Sequence, residues 1–438
     1  MKIRGAVLSL CVCVCVSLLA LPDKIKVCHP AIGVASTPTN STVKLALIAR
    51  KKAYKVCSKH EADIYDSDIN SPKSVEILEE AGKFYVNNLE GGETVVYDLR
   101  TFRKLKVIKH TFTQAEASLF GKDLPFGYSF RKNRLHPNVF IGKPVEGTFS
   151  HKKRYLWITY YRRSYDTNAQ EPSAVAIIDT KKDEIVRVMP CGPLPKMIAT
   201  SHNNKLIAIT HWGDNTVSLI DMSSNNVKDW KYLKKIVVGY QMKLNYDNST
   251  QVNRDANCGY CLRGTAFTPD DKYLLIGKMG GGGIAVIDVE KMAYLRTVNG
   301  MSSNIRHLIV TNNTLYLSAN TWGLVQKTPL KEFLAFLSED KSGQKEYTNW
   351  KTCKVGEGAR TISVTGDEKY IFAAVNKSSK VVVVRCADMQ KICEIDADSF
   401  PVGLSLTANG SLVIVSSQGK DTYKGTGNSV LIYKALYL

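Results

Sequence analysis

Helical periodicity is almost absent from this chain of 438 residues. Apolar residues instead recur at every second position in short runs, which excludes a helical bundle and indicates half-buried β-strands. Acidic residues are also scarce, since 40 Asp and Glu stand against 59 Lys and Arg, for a formal charge of +19. The sequence therefore predicts a strongly basic protein built from strands.

Long apolar runs are limited to residues 6–21, and this run is too short to span a membrane comfortably. Lys2 and Arg4 precede it, an order typical of a secretory signal. Its cysteines lack the small residue that a lipoprotein site needs just before the modified cysteine. We predict that residues 1–20 are a cleaved signal peptide, that the mature protein is periplasmic or on or outside the cell surface, and that it has no transmembrane segment.

Motifs for common hydrolytic and metal chemistry are missing as well. The chain has no Gly-x-Ser-x-Gly motif and no recurring ring of carboxylates suited to calcium. Cys258 and Cys261 form a CxxC, but neither a second CxxC nor a suitably spaced pair of histidines follows, and no histidine comes directly after Cys261. We therefore predict no metal site and no cofactor.

A pattern of short strands and turns is repeated seven times along the chain. Second strands read, for example, KLIAITH and KYLLIGK, and third strands read TVSLID and GIAVID. Each copy is too small to bury its own apolar face, and four-stranded units of about 40 to 50 residues stack radially as propeller blades. We predict an all-β fold, a single seven-bladed β-propeller with four-stranded blades over residues 21–438. The copies begin near residues 72, 144, 195, 262, 305, 359 and 401.

The last copy has only three evident strands before the chain ends at Leu438. An unpaired strand edge is a liability that closed folds remove. The strand-like segment within residues 42–56 would supply the missing outer strand and close the ring. The alternative is a separate N-terminal hairpin.

The repeat resembles the YVTN type of β-propeller repeat, which is related in fold to surface-layer-like and lactonase-like propellers. The segments HWGDNTVSLID and GTAFTPDDKYLLIGKMGGGGIAVID carry the resemblance most strongly. It implies an exported bacterial propeller and says little about function. The fifth copy departs from the pattern, because its third strand, LVQKTPL, lacks the closing Ile-Asp.

Eight of the eleven cysteines remain after removal of the signal peptide. An even number in an exported chain suggests disulfides. We predict a local bridge between Cys258 and Cys261, and a second bridge between Cys386 and Cys393 across a hairpin of the sixth copy. The partners of the other four are left open by the sequence: Cys28, Cys57, Cys191 and Cys353.

The repeat is interrupted by insertions at four places that a propeller would present on one face, the top face. They occupy residues 112–143, 161–173, 239–260 and 418–428. Loops carry function on rigid scaffolds, and long ones need a reason to exist. The top face is therefore the predicted binding surface.

A second regularity falls on the same face, where the first strand of each copy begins beside the central channel. Five of the seven copies carry a cation there: Lys73, Lys196, Arg263, Arg306 and Arg360. The ends of the second strands add further candidates: His211, Trp212, Lys278, Asn320, Trp322 and Asn376. Such cations would attract a carboxylate, a phosphate or a sulfated sugar, and the tryptophans could stack on a ring. The alternative is that the cations only pair with neighbouring carbonyls and carboxylates.

Two functions follow from this interpretation. The first is an exported binding or scaffolding propeller of the cell envelope that recognises an anionic small molecule, a glycan or a protein on its top face. The second is a lactonase-like hydrolase or lyase, for which His211, His307, Glu146, Glu357 and Asp214 are the titratable candidates. Nucleic acid is not an expected partner, because exported chains rarely meet it.

Overall fold

Seven small sheets, arranged in a ring, make up the protein. The computed structural model describes residues 25–54, 60–121, 139–163, 166–243, 252–340, 343–419 and 428–438. The signal peptide prediction and Cys57 lie outside these ranges, as do most of the insertions at 112–143 and 418–428. The arrangement confirms the predicted seven-bladed β-propeller.

Strands are numbered in chain order. Before the first blade come β1 Val43–Lys52 and β2 Asp63–Tyr65. Blade one contains β3 Pro72–Leu78, β4 Lys83–Asn88, β5 Glu93–Asp98 and β6 Lys104–Lys109. Blade two contains β7 Thr111–Thr113, β8 Val139–Ser150, β9 Tyr155–Arg163, β10 Ser173–Asp179 and β11 Glu184–Cys191. Blade three contains β12 Pro195–Thr200, β13 Leu206–His211, β14 Thr216–Asp221 and β15 Lys231–Val237.

Blades four to seven follow the same order. Blade four contains β16 Leu262–Phe267, β17 Tyr273–Lys278, β18 Ile284–Asp288 and β19 Ala293–Val298. Blade five contains β20 Ile305–Val310, β21 Thr314–Ala319, β22 Leu324–Pro329 and β23 Lys351–Lys354, with helix α1 Leu330–Glu339 between its last two strands. Blade six contains β24 Ala359–Val364, β25 Tyr370–Val375, β26 Lys380–Arg385 and β27 Gln390–Asp396. Blade seven contains β28 Pro401–Leu406, β29 Leu412–Ser417 and β30 Ser429–Tyr437.

The ring is closed by the N-terminal strand, as the sequence predicts. Strand β1 pairs antiparallel with β30 over nearly its whole length, from Val43 opposite Tyr437 to Lys52 opposite Ser429. The last blade thereby obtains its fourth strand from the start of the chain, and β2 adds a short parallel strand outside β1. First and last parts of the fold are thus joined by main-chain hydrogen bonds.

Apolar side chains are buried mainly between neighbouring blades. One cluster joins Phe84 and Val95 of blade one to Ile414 and Ile432 of blade seven. Equivalent clusters join blades two and three, three and four, four and five, five and six, and six and seven. Each sheet therefore depends on both neighbours to remove its apolar surface from water.

A fully buried arginine strengthens the closure. Arg50 of β1 donates to both carboxylate oxygens of Asp63, at 3.0 and 2.5 Å, and to Asp398 at 3.1 Å. Asp398 also accepts from Tyr54, at 2.7 Å, and from Ser429. The arginine and both aspartate side chains are at most 1% exposed. The N-terminal strand is therefore tied to blade seven by charge as well as by its ladder.

The predicted bridge between Cys386 and Cys393 is wrong, because both residues are buried free thiols. Cys386 packs among residues between blades five and six, whereas Cys393 packs in the cluster between blades six and seven. The two side chains lie on opposite faces of one sheet, so the hairpin brings their backbones close but not their sulfur atoms. The predicted bond between Cys258 and Cys261 is present.

Replacing Arg50 should destabilise the closed ring. In Arg50→Met, two buried carboxylates lose their guanidinium partner, and breaking a buried pair in this way costs about 3–5 kcal/mol. The free energy of unfolding, measured by urea denaturation, should fall by that amount. The matched control is Arg385→Met, whose pair with Asp388 is exposed and screened by water, so this variant should change the free energy of unfolding little. Equal losses in the two variants would contradict the role given to Arg50.

Thiol mapping should separate the cysteines into two groups. Under nonreducing conditions, peptide mass spectrometry should find Cys258 linked to Cys261. Cys386 and Cys393 should be alkylated only after the protein is unfolded, because both are buried thiols. A peptide that links Cys386 to Cys393 would show that their side chains do not face different blade interfaces.

Candidate functional site

An irregularity in the innermost strand of each blade directs one side chain toward the central channel. In β12 the ladder pairs Pro195 with His211 and then Met197 with Thr210, so Lys196 has no opposite residue. The ladder shifts at the same place in the other innermost strands. Bulges of this kind re-aim a side chain, and here they act on the second residue of the strand.

The five predicted cations occupy this position in their blades. Lys73, Lys196, Arg306 and Arg360 line one cavity of about 410 Å³ at the top of the channel. Arg263 does not line the cavity but interacts electrostatically with all four. The ring thus brings together five cations that are far apart in the sequence. The rest of the cavity lining is Leu89, Glu90, Val145, Tyr161, Arg162, Trp212, Asp255, Phe400 and Gln418.

Two of the five cations have a carboxylate partner. Arg263 of blade four donates to Glu146 of blade two at 3.0 Å, across the channel. Lys196 lies 3.4 Å from Asp255, which the insertion at 239–260 supplies. The Lys196 ammonium also lies 4.1 Å from the centre of the Tyr161 ring. These two cations are held in place by the protein itself.

The other three cations have no carboxylate within ion-pair distance in the part of the chain that the structure describes: Lys73, Arg306 and Arg360. Arg306 donates only to the Met279 thioether sulfur, at 3.1 Å, and Arg360 lies 5.9 Å from the Phe400 ring centre. The Nε atoms of both arginines are buried without a hydrogen-bond partner. Buried donors of this kind cost free energy unless a ligand or water satisfies them.

The pKa values of the ring reflect this uncompensated charge. Burial lowers the pKa of Lys73, and the nearby Arg360 and Arg263 lower it further. Burial, together with Arg360 and Arg263, also lowers the pKa of Arg306. Burial lowers the pKa of Lys196 to about 7, although Asp255 opposes the shift. These three cations are therefore less stable in their charged form here than in water, and a bound anion would oppose that effect.

Several cavity residues were missed by the sequence-based prediction. Tyr161 and Arg162 end β9, Asp255 belongs to the loop before blade four, and Phe400 precedes β28. Tyr161, Arg162 and Asp255 had a signal in the sequence only in that they belong to the insertions, and Phe400 had none. The insertion at 239–260 thus contributes a carboxylate that holds Lys196, and the Trp212 indole donates to the Asp255 carbonyl at 3.2 Å.

Trp212 lines the cavity but has little free surface. It is 7% exposed, and the Lys196 ammonium covers one face of its ring at 4.3 Å. Stacking of a sugar on that face is therefore blocked while Lys196 stays in place. Trp322 is 53% exposed but lies outside the cavity, where it donates to Ser303 at 3.0 Å.

The remaining predicted site residues also lie outside the cavity lining. His211 is buried between the Thr216 hydroxyl, at 2.8 Å, and the Gly192 amide, and burial lowers its pKa to about 3. The Lys278 ammonium lies over the Tyr260 ring at 3.8 Å. The last two predicted site residues are asparagines. Asn320 donates to the Ala359 carbonyl at 3.0 Å, and Asn376 is buried.

A second chamber, of about 340 Å³, lies lower in the channel and contains Glu76, Glu146 and His307. Burial and the neighbouring Glu146 raise the pKa of Glu76 to about 8. Burial lowers the pKa of His307 to about 4. Near neutral pH the chamber therefore holds an uncharged imidazole and a carboxyl group that is mostly protonated.

The residues that the structure describes contain no group of three or more His, Cys, Asp or Glu side chains arranged to hold a metal ion. Within the same ranges, no helix is long and apolar enough to cross a membrane.

Fold and cavity define the protein as a seven-bladed β-propeller with a cation-lined channel mouth. No protein-family model and no curated protein matches the chain, so the YVTN resemblance stays a prediction. Solved structures match across most of the chain at low identity. Hydrazine synthase from Kuenenia stuttgartiensis matches at 11% identity, covering 88% of this chain and 100% of that one, with a TM-score of 0.56.

Two further structures agree in architecture. The β-propeller domain of Cps50 (Swd1) from Myceliophteria thermophila has 11% identity and a TM-score of 0.55, covering 83% of this chain and 96% of that one. A functionally unknown protein from Desulfotomaculum acetoxidans DSM 771 has 12% identity and a TM-score of 0.51, covering 82% and 93%. At such identities the likeness shows the fold alone.

The pH dependence of stability should reveal the strained Lys196. The unfolded chain keeps this proton up to an ordinary pKa near 10.4, whereas the folded protein releases it from about pH 7. Charged Lys196 therefore lowers the free energy of unfolding by its full amount below pH 7, and this loss disappears as the pH rises to about 10. Over that range the wild type should become more stable relative to Lys196→Met. Urea denaturation at several pH values measures this difference. Lys272→Met, which removes an exposed lysine, reports the effect of net charge alone, and an equal trend in both variants would contradict the assignment.

Proposed function

We propose that this protein is a binding protein for a small anionic ligand, which it holds in the cavity at the top of its channel. The proposal includes export to the cell envelope, which rests on the charged and apolar residues 1–21. The propeller is the rigid scaffold of this site, and the innermost strands of its blades carry the cations that would bind the anion.

One observation carries the proposal. Three cations, Lys73, Arg306 and Arg360, meet in a cavity without a carboxylate partner among the described residues. The Nε atoms of Arg306 and Arg360 also lack an acceptor there, as does the Nε atom of the paired Arg263. A structural role alone would favour paired cations, as found for Arg263 and Lys196. An anion would supply both the missing charge and the missing acceptors.

Size and lining are consistent with a small molecule. A cavity of about 410 Å³ falls in the range of 300–1,000 Å³ typical of ligand pockets. The two carboxylates in the lining are engaged, Glu90 with Lys143 at 2.5 Å and Asp255 with Lys196. Neither is placed to act as a free general base, which favours binding over the hydrolase alternative.

Neutralising the unpaired arginines should abolish binding without damaging the fold. Phenyl phosphate, phenyl sulfate and benzoate serve as anionic probes, and calorimetry measures their affinity. In Arg306→Gln/Arg360→Gln, affinity should fall at least about tenfold, because charge-assisted hydrogen bonds are worth about 1.5–3 kcal/mol. The free energy of unfolding should stay equal or rise, since repulsion within the ring is removed. Affinity for the wild type should also fall as salt is added.

Arg263→Gln is the matched comparison inside the same ring. It leaves Glu146 without its partner, so this variant should lose stability where the double variant does not. If the double variant loses stability as Arg263→Gln does, and none of the three probes binds the wild type, the cations serve structure and the proposed function is wrong.

A further inference from the structure

We infer that the ligand of this cavity is an organic phosphate monoester, bound with its dianionic phosphoryl group against Lys73, Arg306 and Arg360. The inference rests on the proposed anion-binding function and names the chemistry of the ligand. It follows from the amount of charge, the number of donors and the remaining lining of the cavity.

The net charge of the cavity lining favours a ligand with more than one negative charge. Five basic and two acidic side chains line the cavity, so that with every group ionised, the state that a bound anion favours, positive charges exceed negative ones by three. The Arg263 and Glu146 pair, which does not line the cavity, contributes no net charge. A single carboxylate would neutralise one of the three excess charges, whereas a phosphate monoester carries close to two above pH 6.

The hydrogen-bond donors of the three unpaired cations favour a ligand group with several acceptor oxygens. The three unpaired cations come from blades one, five and six and line the same cavity of about 410 Å³. Arg306 and Arg360 present planar donor forks, and Lys73 presents an ammonium with three donors. A tetrahedral phosphoryl group has three terminal oxygens and can accept from all three cations together, while a planar carboxylate has two.

The apolar side chains of the lining favour a phosphate that carries an organic group. Leu89, Val145 and Phe400 form the apolar part of the lining, and Gln418 adds an uncharged polar group. The volume is that of an organic ligand rather than of a bare ion. Inorganic phosphate would therefore leave the apolar part of the cavity unused.

Glu146 acts in this scheme as an internal counter-ion. Its carboxylate accepts a hydrogen bond from Arg263 at 3.0 Å, and Arg263 does not line the cavity. In Glu146→Gln the local charge becomes more positive by one unit. That variant should bind the phosphate monoester more tightly than wild type does.

Three probes of one shape test the inference, with binding measured by calorimetry on the full-length protein. Phenyl phosphate and phenyl sulfate share the ring and the tetrahedral group but differ by one charge at pH 7.5, and benzoate is planar with one charge. We expect phenyl phosphate to bind about tenfold more tightly than phenyl sulfate. Between pH 5 and 7.5, the ratio of the two affinities should rise, because only the phosphate ester loses a proton near pH 6.

Amino-acid substitutions test which residues produce the preference for phosphate over sulfate. Lys73→Gln, Arg306→Gln and Arg360→Gln should each reduce the preference for phosphate over sulfate, and Glu146→Gln should increase phosphate affinity. Arg385→Gln changes an exposed arginine at the end of the third strand of blade six and should leave both affinities unchanged. A second arm uses vesicles that contain phosphatidic acid, a lipid phosphate monoester. Sedimentation with these vesicles but weak binding of phenyl phosphate would assign the phosphate to a lipid headgroup, and the reverse would assign it to a soluble ester.

The possible outcomes distinguish a failure of the phosphate inference from a failure of the proposed anion-binding function. Equal affinities for phenyl phosphate, phenyl sulfate and benzoate, lost in the arginine variants, would overturn the phosphate inference and leave anion binding standing. Tighter binding of inorganic phosphate than of phenyl phosphate would also overturn it, because the organic body would then contribute nothing. Absence of binding by every probe, on vesicles and in solution, would overturn both.

Discussion

Contact between the apolar faces of neighbouring blades is the interaction on which the rest of this structure depends. Each sheet buries Val, Ile, Leu and aromatic side chains against the sheets beside it, as Phe84 of blade one does against Ile414 of blade seven. A row of such sheets would leave two apolar faces in water, and only a closed ring removes both. The pairing of β1 with β30, tied by the buried Arg50, is therefore a condition for the stability of the whole.

The closed ring also makes the charged channel mouth possible. Innermost strands surround one channel, and residues at their bulges, among them Lys73, Lys196, Arg306 and Arg360, line the same small cavity. Cations brought together in this way repel one another and are partly desolvated, as the lowered pKa values of Lys73 and Arg306 show. Packing between blades offsets this cost, which is how functional sites commonly keep an unfavourable arrangement.

Predictions from the sequence succeeded where the signal was local and repeated. Period-two alternation and turn residues are properties of a few neighbouring positions, and they located the innermost strands at Pro72, Pro195, Leu262 and Pro401. They failed where the answer depended on which way a side chain points. Cys386 and Cys393 are near each other along a hairpin but pack into different blade interfaces. His211 ends its strand as predicted, yet its ring lies inside the blade and not in the channel.

The sequence by itself determined the seven repeats and the cation at the start of five innermost strands, because each depends on a short stretch of residues. It also indicated an N-terminal strand, but only the tertiary structure decided that this strand closes the ring and does not form a separate hairpin. Only the tertiary structure decided which cations are neutralised. Arg263 meets Glu146 from another blade and Lys196 meets Asp255 from a loop, while Lys73, Arg306 and Arg360 meet no carboxylate among the described residues. Coulomb interactions depend on distance in space, and residues more than a hundred positions apart come within 3.0 Å only when the ring closes.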